Sequence, residues 1–203
     1  MIPDITENDG FITWTSGAVI DGDGCPRCYS PPGSGLPALD YLANAGNEQD
    51  GWYGLVCIGG EPVIQQCGPC AGYYLSPTAL QDRSKTIIDP ARYVDSASVP
   101  YVSIPPELKA RGIALGDLAM VTYCGRQAGA IIADISPRSH YGEISVYCAQ
   151  LLDIPSSPKN GGTGKGVGYY LFKKSAASPA WPVTVADIQS QAALLYQKTK
   201  AVA

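Results

Sequence analysis

Glycine and proline punctuate this chain so densely that long regular elements have little room. They number 23 and 17, together 40 of 203 residues. Glycine reaches backbone conformations closed to other residues, and proline removes a donor and fixes φ. Such a density favours short strands and irregular loops over a helix bundle. The length suits one domain, or one with a small appendage, with enough chain to bury a core. Apolar residues make up 45% and charged residues only 16%, which excludes a charge-driven disordered polymer. The net charge is −4 and no basic block occurs, so neither nucleic acid nor an anionic membrane surface is an expected partner. No apolar run approaches the roughly 20 residues of a membrane span. A mildly acidic surface of this kind attracts a cationic ligand instead.

Read along the chain, residues 1–35 form an irregular arm with one apolar stretch, Gly17 to Ile20, ending in the loop DGDGCPRCYSPPGSG. Leu36 to Asn44 reads as a short helix closed near Gly46. WYGLVCIG, EPVIQQ, GYYLSP, VPYVSIP and DLAMVTYC read as strands separated by Gly, Pro or Asp, and AGAIIADIS (128–136) follows as an apolar strand. EISVYCAQLLDI (143–154) has apolar spacing closer to a helix. After the glycine loop NGGTGKGVG comes the strand GYYLFKK (168–174). Thr184 with Asp187 three residues later makes a capping box for a helix to about Thr199. With no internal repeat and no linker between two cores, the economical fold is mainly β. It is one small barrel spanning 1–203, with 1–14 as an N-terminal arm and 184–201 as a C-terminal helix packed on the barrel.

Several motifs admit more than one reading. CPRC and CGPC supply Cys25, Cys28, Cys67 and Cys70, a set that could hold a structural zinc, form disulfides or remain as thiols. Seven cysteines are odd in number, so a monomer keeps at least one thiol. CGPC is also the thioredoxin spelling, but Ala71 to Tyr74 after it look like a strand where that motif needs a helix. GGTGKG fails as a phosphate loop, because Lys159 and Gly166 stand where Gly and Ser or Thr are required. Asp21 and Asp23 alternate as in a calcium loop, but Cys25 replaces the next ligand. They are a polar turn or a pair of acids lining a sugar cleft. His140 is the sole histidine, which excludes a multi-histidine metal site.

Asp134 and Glu143 are the most informative pair. Asp134 follows four apolar residues, where a carboxylate is costly unless paired, hydrated or functional. Glu143 lies beyond the loop ISPRSHYG. Two acids at the two ends of a short loop can face one cleft, as glycosidic cleavage requires. A turn acid and an acid near a helix N-terminus account for the same spacing.

The strings DGDG…LDYLANAG, GWYGLV, GYYLSPTAL, YVDS…VPYVSIP, GDLAMV, AIIADISP…GEIS and GGT…GVGYYLF, in this order from about residue 15 to 175, resemble the family-75 glycoside hydrolases, the fungal-type chitosanases. The resemblance implies an inverting endo-hydrolase of β-1,4-linked glucosamine polymers that uses no metal cofactor. Asp134 and Glu143 match the family's two essential carboxylates. AIIADISP…GEISVYCAQLL also resembles the core of six-stranded double-psi β-barrels, which expansins, family-45 cellulases and some lytic transglycosylases share. The sequence departs from the family in its cysteine pairs and in Ile144, where a glycine is usual. Chitosan or a related amino-sugar polymer is therefore the expected substrate. The alternatives are a peptidoglycan-cleaving hydrolase or toxin, and a non-catalytic expansin-like barrel. Asp21, Asp23, Asp40, Asp89 and Asp95, with Tyr73 and Tyr74, are the candidate substrate contacts: carboxylates for ammonium groups, rings for sugar faces. Secretion or export is expected, although the N-terminus MIPDITENDGFITW does not read as a leader.

Overall fold

The computed structural model describes residues 2–200. A hairpin of β1 (Thr6–Asn8) and β2 (Phe11–Asp21) opens the chain. Next come two-residue pairs, β3 (Gly46–Asn47) with β4 (Gly51–Trp52) and β5 (Cys57–Ile58) with β6 (Glu61–Pro62). The remaining elements are β7 (Tyr101–Ile104), α1 (Pro106–Ala110), β8 (Leu118–Tyr123), β9 (Arg126–Ile135), β10 (Glu143–Ser145), α2 (Val146–Leu151), β11 (Thr163–Phe172) and α3 (Val185–Lys200). Six strands close on themselves in the order β2-β10-β7-β9-β8-β11, with β11 returning to β2. The pairs β2–β10 and β7–β9 are parallel and the others antiparallel. Parallel neighbours need crossing connections rather than hairpins, which gives the mixed connectivity expected of the double-psi type. The protein is therefore mainly β, a closed six-stranded barrel with peripheral helices.

Alternation along each strand builds the barrel interior. Ile12, Trp14, Ala18 and Ile20 of β2 meet Val102 and Ile104 of β7, Ala128, Ala130 and Ile132 of β9, Ile144 of β10 and Tyr169 and Leu171 of β11. Trp14 and Tyr169 stack there, with ring centroids 4.8 Å apart. The opposite set, Leu118, Met120, Ile131 and Phe172, packs beneath Ile188, Ala192 and Tyr196 of α3. The α3 helix is tied down by Gln189, whose amide accepts from the Gly129 N–H and donates to the Gly129 carbonyl. Thr184 caps its start by accepting from the Asp187 N–H.

Four sequence expectations need correction. Residues 1–35 are not an irregular arm: β1 and β2 lie within them, and β2 is an 11-residue barrel strand. Residues 36–44 make no helix; a 3₁₀ turn covers Leu42–Ala45, closed by Gly46 at φ 107°. GYYLSP is no strand and contributes only an isolated bridge between Ile64 and Tyr74. The 143–154 segment starts as strand β10 before α2, because Ser145 accepts from the Cys148 N–H and sets the helix start there. Position 201 of the expected C-terminal helix lies outside the described residues. Among the described residues no helix is long and apolar enough to cross a membrane.

The segment between β2 and β7 is a loop layer laid over the outer face of the barrel. It is anchored to the barrel by Leu80 N–H to Ala133 O and Tyr101 Oη to the Asp23 carbonyl, and Ser96 Oγ donates to Gly22 O within it. Two small apolar clusters, around Tyr29 and Leu55 and around Leu75 and Tyr93, hold this layer together.

Candidate active site

Four neighbouring strands bring the acids together. Ser103 on β7 stands opposite Asp134 of β9 on one side and Glu143 of β10 on the other. Asp21 ends β2, the strand beyond β10. On β9 the even-numbered residues Ala128, Ala130 and Ile132 point into the barrel, so a regular strand would send Asp134 inward too. A bulge between the pairs Val102–Ile132 and Ser103–Asp134 inserts Ala133 as an extra residue. The shift places Asp134 on the outer face with Ser103 and Glu143, the re-aiming for which strands use bulges.

The preceding loop is equally constrained. Gly142 has φ 89°, and a Cβ there would lie 2.4 Å from the Gly17 carbonyl. Gly24, in the DGDG loop, has φ 76°, with the Val94 carbonyl 2.0 Å from where a Cβ would sit. Both positions require glycine. Ile144 is fully buried in the barrel core, so the side chain after Glu143 faces away from the acids.

Above this face opens a cavity of about 740 Å³. Asp21, Asp23, Asp40, Asp134 and Glu143 line it, together with Tyr29, Asn44, Tyr53, Thr78, Ser136 and His140. The sequence reading thus located five of its nine site residues on this wall. The other four lie elsewhere. Asp89 caps the 3₁₀ turn Pro90–Arg92 by accepting from the Ala91 N–H, and Asp95 binds the Ala97 N–H and Ser98 Oγ. Tyr73 is buried and donates to the Pro37 carbonyl, while Tyr74 packs in the loop-layer cluster of Tyr29 and Leu55. None of these four lines the cavity, and their side chains serve loop structure. Ser103, His140 and Tyr53 were missed. A serine inside the otherwise apolar, fully buried β7 was the one available signal.

The donors around each carboxylate differ. Asp21 accepts from Ser103 Oγ and, at 2.8 Å, from the Asp23 N–H. Asp23 accepts from Tyr29 Oη at 2.8 Å and Ser76 Oγ at 3.1 Å. Asp134 accepts from the N–H groups of Ile135 and Ala79, at 2.8 and 3.1 Å. Among the described residues Glu143 has no hydrogen-bond donor: the nearest cationic group, the His140 imidazole, has Nδ1 3.7 Å from Oε2, which is too long for a hydrogen bond. Burial, reinforced by the Asp21 charge, pushes Asp134 up to about 8. Glu143 is held well above the ordinary carboxylate range by burial, then by Asp21 and Asp134. With two N–H donors on Asp134 and none on Glu143, the proton stays longer on Glu143.

The two C-x-x-C loops lie side by side: Gln65 donates to the Pro26 carbonyl, and Arg27 to Pro69. All seven cysteines are nevertheless free thiols. Among the described residues no group of three or more His, Cys, Asp or Glu side chains is arranged to hold a metal ion. In the structure Cys25, Cys28, Cys67 and Cys70 form neither disulfides nor a metal-holding cluster. Burial pushes the Cys25 thiol up to about 12, away from thiolate chemistry.

No family model matches the chain, and no curated protein matches it.

Proposed function

We propose that the protein is a glycoside hydrolase that cleaves an amino-sugar polymer of the chitosan type, with inversion. The observation that carries this reading is the placement of Asp134 and Glu143 on either side of Ser103, on one face of the barrel and in one cavity. Strands two apart are separated by about 10 Å. Backbones at that spacing allow the side chains to hold the two carboxyls at the roughly 6.5–9.5 Å of inverting enzymes, with a water between them. Glu143, without a donor to stabilise its anion, holds the proton for the leaving oxygen. Asp134, with two N–H donors, serves as the base that activates the water. Asp23 and Asp40 line the same cavity, where their carboxyl oxygens can accept hydrogen bonds from a glucosamine ammonium. Tyr53, 72% exposed on the rim, offers a ring for a sugar face.

Reducing-end release from chitosan, with peptidoglycan sacculi assayed in parallel, tests the reading. Release from chitosan alone supports it. Release from sacculi alone replaces the substrate class, and release from neither, with binding retained, replaces the enzyme by a glycan-binding barrel.

A further inference from the structure

Asp21 does not fit the part of a simple substrate contact. It lines the cavity but is only 8% exposed, and both of its oxygens are already engaged: Oδ1 by the Asp23 N–H and Oδ2 by Ser103 Oγ. The donor that clamps it, Ser103, is the residue paired with both Asp134 and Glu143. Register fixes the rest. Glu143 pairs with Val19, and Asp21 lies two residues further along β2, opposite Ser145. Residues two apart on a strand share a face, so Asp21 is the diagonal neighbour of Glu143, at about 7 Å between backbones. A carboxylate fixed by two donors stays ionised more readily than one with none. Burial raises Asp21 as well, but with two donors on Asp21 and none on Glu143, Asp21 is the acid that ionises first.

We propose that Asp21, clamped by Ser103, is a positioning residue that keeps the proton on Glu143 by placing a fixed like charge beside it. The inference rests on the reading of Glu143 as the general acid. Other groups face Glu143 from each packed element: Asp134 from β9, His140 from the loop before β10 and Tyr169 from β11. Of these, Asp134 acts in the same direction as Asp21. A charged His140 acts in the opposite one, and Tyr169 bears no charge in the pH range of interest because burial raises its hydroxyl further. Asp21 is the acid on the strand directly adjacent to β10.

The test is a carbon-13 NMR titration of the side-chain carboxyls in glutamate-labelled protein, with Glu143→Gln identifying the Glu143 resonance. It is run on wild type, Asp21→Asn and Ser103→Ala. One unit charge removed at about 7 Å lowers the Glu143 midpoint by roughly one to two pH units. Asp21→Asn is expected to show that fall, with the alkaline limb of kcat on a glucosamine polymer moving down in step. Ser103→Ala, which frees the Asp21 carboxylate while leaving its charge, is expected to move both in the same direction by less; it provides the readout if Asp21→Asn fails to fold. An unmoved Glu143 midpoint in a folded variant overturns the proposal. So does an Asp21→Asn effect confined to KM for glucosamine polymers, which would make Asp21 an ammonium contact. The titration needs no substrate. A shifted midpoint in a protein that hydrolyses no glycan would uphold the coupling and sink the hydrolase reading alone.

Discussion

Replacing Asp134 by asparagine should stabilise the protein, and the gain should depend on pH. The Asp134 carboxyl is raised from 3.8 to about 8, first by burial and then by the Asp21 charge. The folded state therefore binds this proton more tightly than the unfolded chain does. Below about pH 4 both states are protonated and the group is neutral to stability. As pH rises from 4 to 8 the unfolded chain releases its proton first, so stability falls, and the loss is complete once the folded carboxyl also ionises. About four pH units at ~1.4 kcal/mol each give a ceiling of roughly 5–6 kcal/mol. Asp21, Asp23 and Glu143 remain and share the repulsion, so about 2–4 kcal/mol is the expected gain at pH 9. The amide oxygen still accepts from the Ala79 and Ile135 N–H groups. Urea unfolding at pH 4, 7 and 9 reads this out. With m near 2 kcal/mol/M, the midpoint of the variant should exceed that of wild type by about 1–2 M at pH 9 and by little at pH 4. A variant that is less stable than wild type at pH 9, or equally shifted at all three pH values, refutes the electrostatic account of the cluster.

Glu143→Gln and Asp134→Asn should each lose about 10²–10⁴-fold in kcat while staying folded. A substrate with a good leaving group should rescue only Glu143→Gln, and rescue of the other variant reverses the roles. Tyr53→Ala should raise KM for long glucosamine oligomers several-fold with kcat little changed, since packing of a sugar face on an exposed ring contributes to binding alone; an unchanged KM removes Tyr53 from the site. Denatured, unreduced protein should titrate seven thiols, matching the seven free cysteines; a count of five or fewer indicates a disulfide.

What the sequence disclosed and what it concealed divide along physical lines. The α3 helix was readable because Thr184 and Asp187 form a local cap. Strands β8 and β9 were readable because buried apolar runs end at turn residues. The β2 strand was hidden because its outward positions include Thr13, Thr15 and Gly17 and its inward set is interrupted by Ser16, so the apolar alternation of Ile12, Trp14, Ala18 and Ile20 is hard to see in sequence. GYYLSP misled because Tyr73 and Leu75 are buried as strand residues would be, yet in a loop layer rather than the sheet. Of the site, Asp134 and Glu143 were found as an acid pair with suggestive spacing. Their shared face was not legible, since it depends on the Ala133 bulge, a product of pairing with β7 rather than of local sequence. Asp89 and Asp95 were indistinguishable in sequence from Asp21 and Asp23, because turn acids and cleft acids occupy the same kind of glycine- and proline-rich loop. Only the loop layer's docking on the barrel separates them.

The most direct test of the account is the anomeric form of the first product. Proton NMR of a β-1,4-glucosamine oligomer mixed with the enzyme should show the α-anomer at the new reducing end before mutarotation, and Glu143→Gln and Asp134→Asn should abolish that signal. Initial release of the β-anomer would contradict the acid and base roles proposed for the two carboxyls, and an intact oligomer would contradict the proposal of a chitosan-type hydrolase.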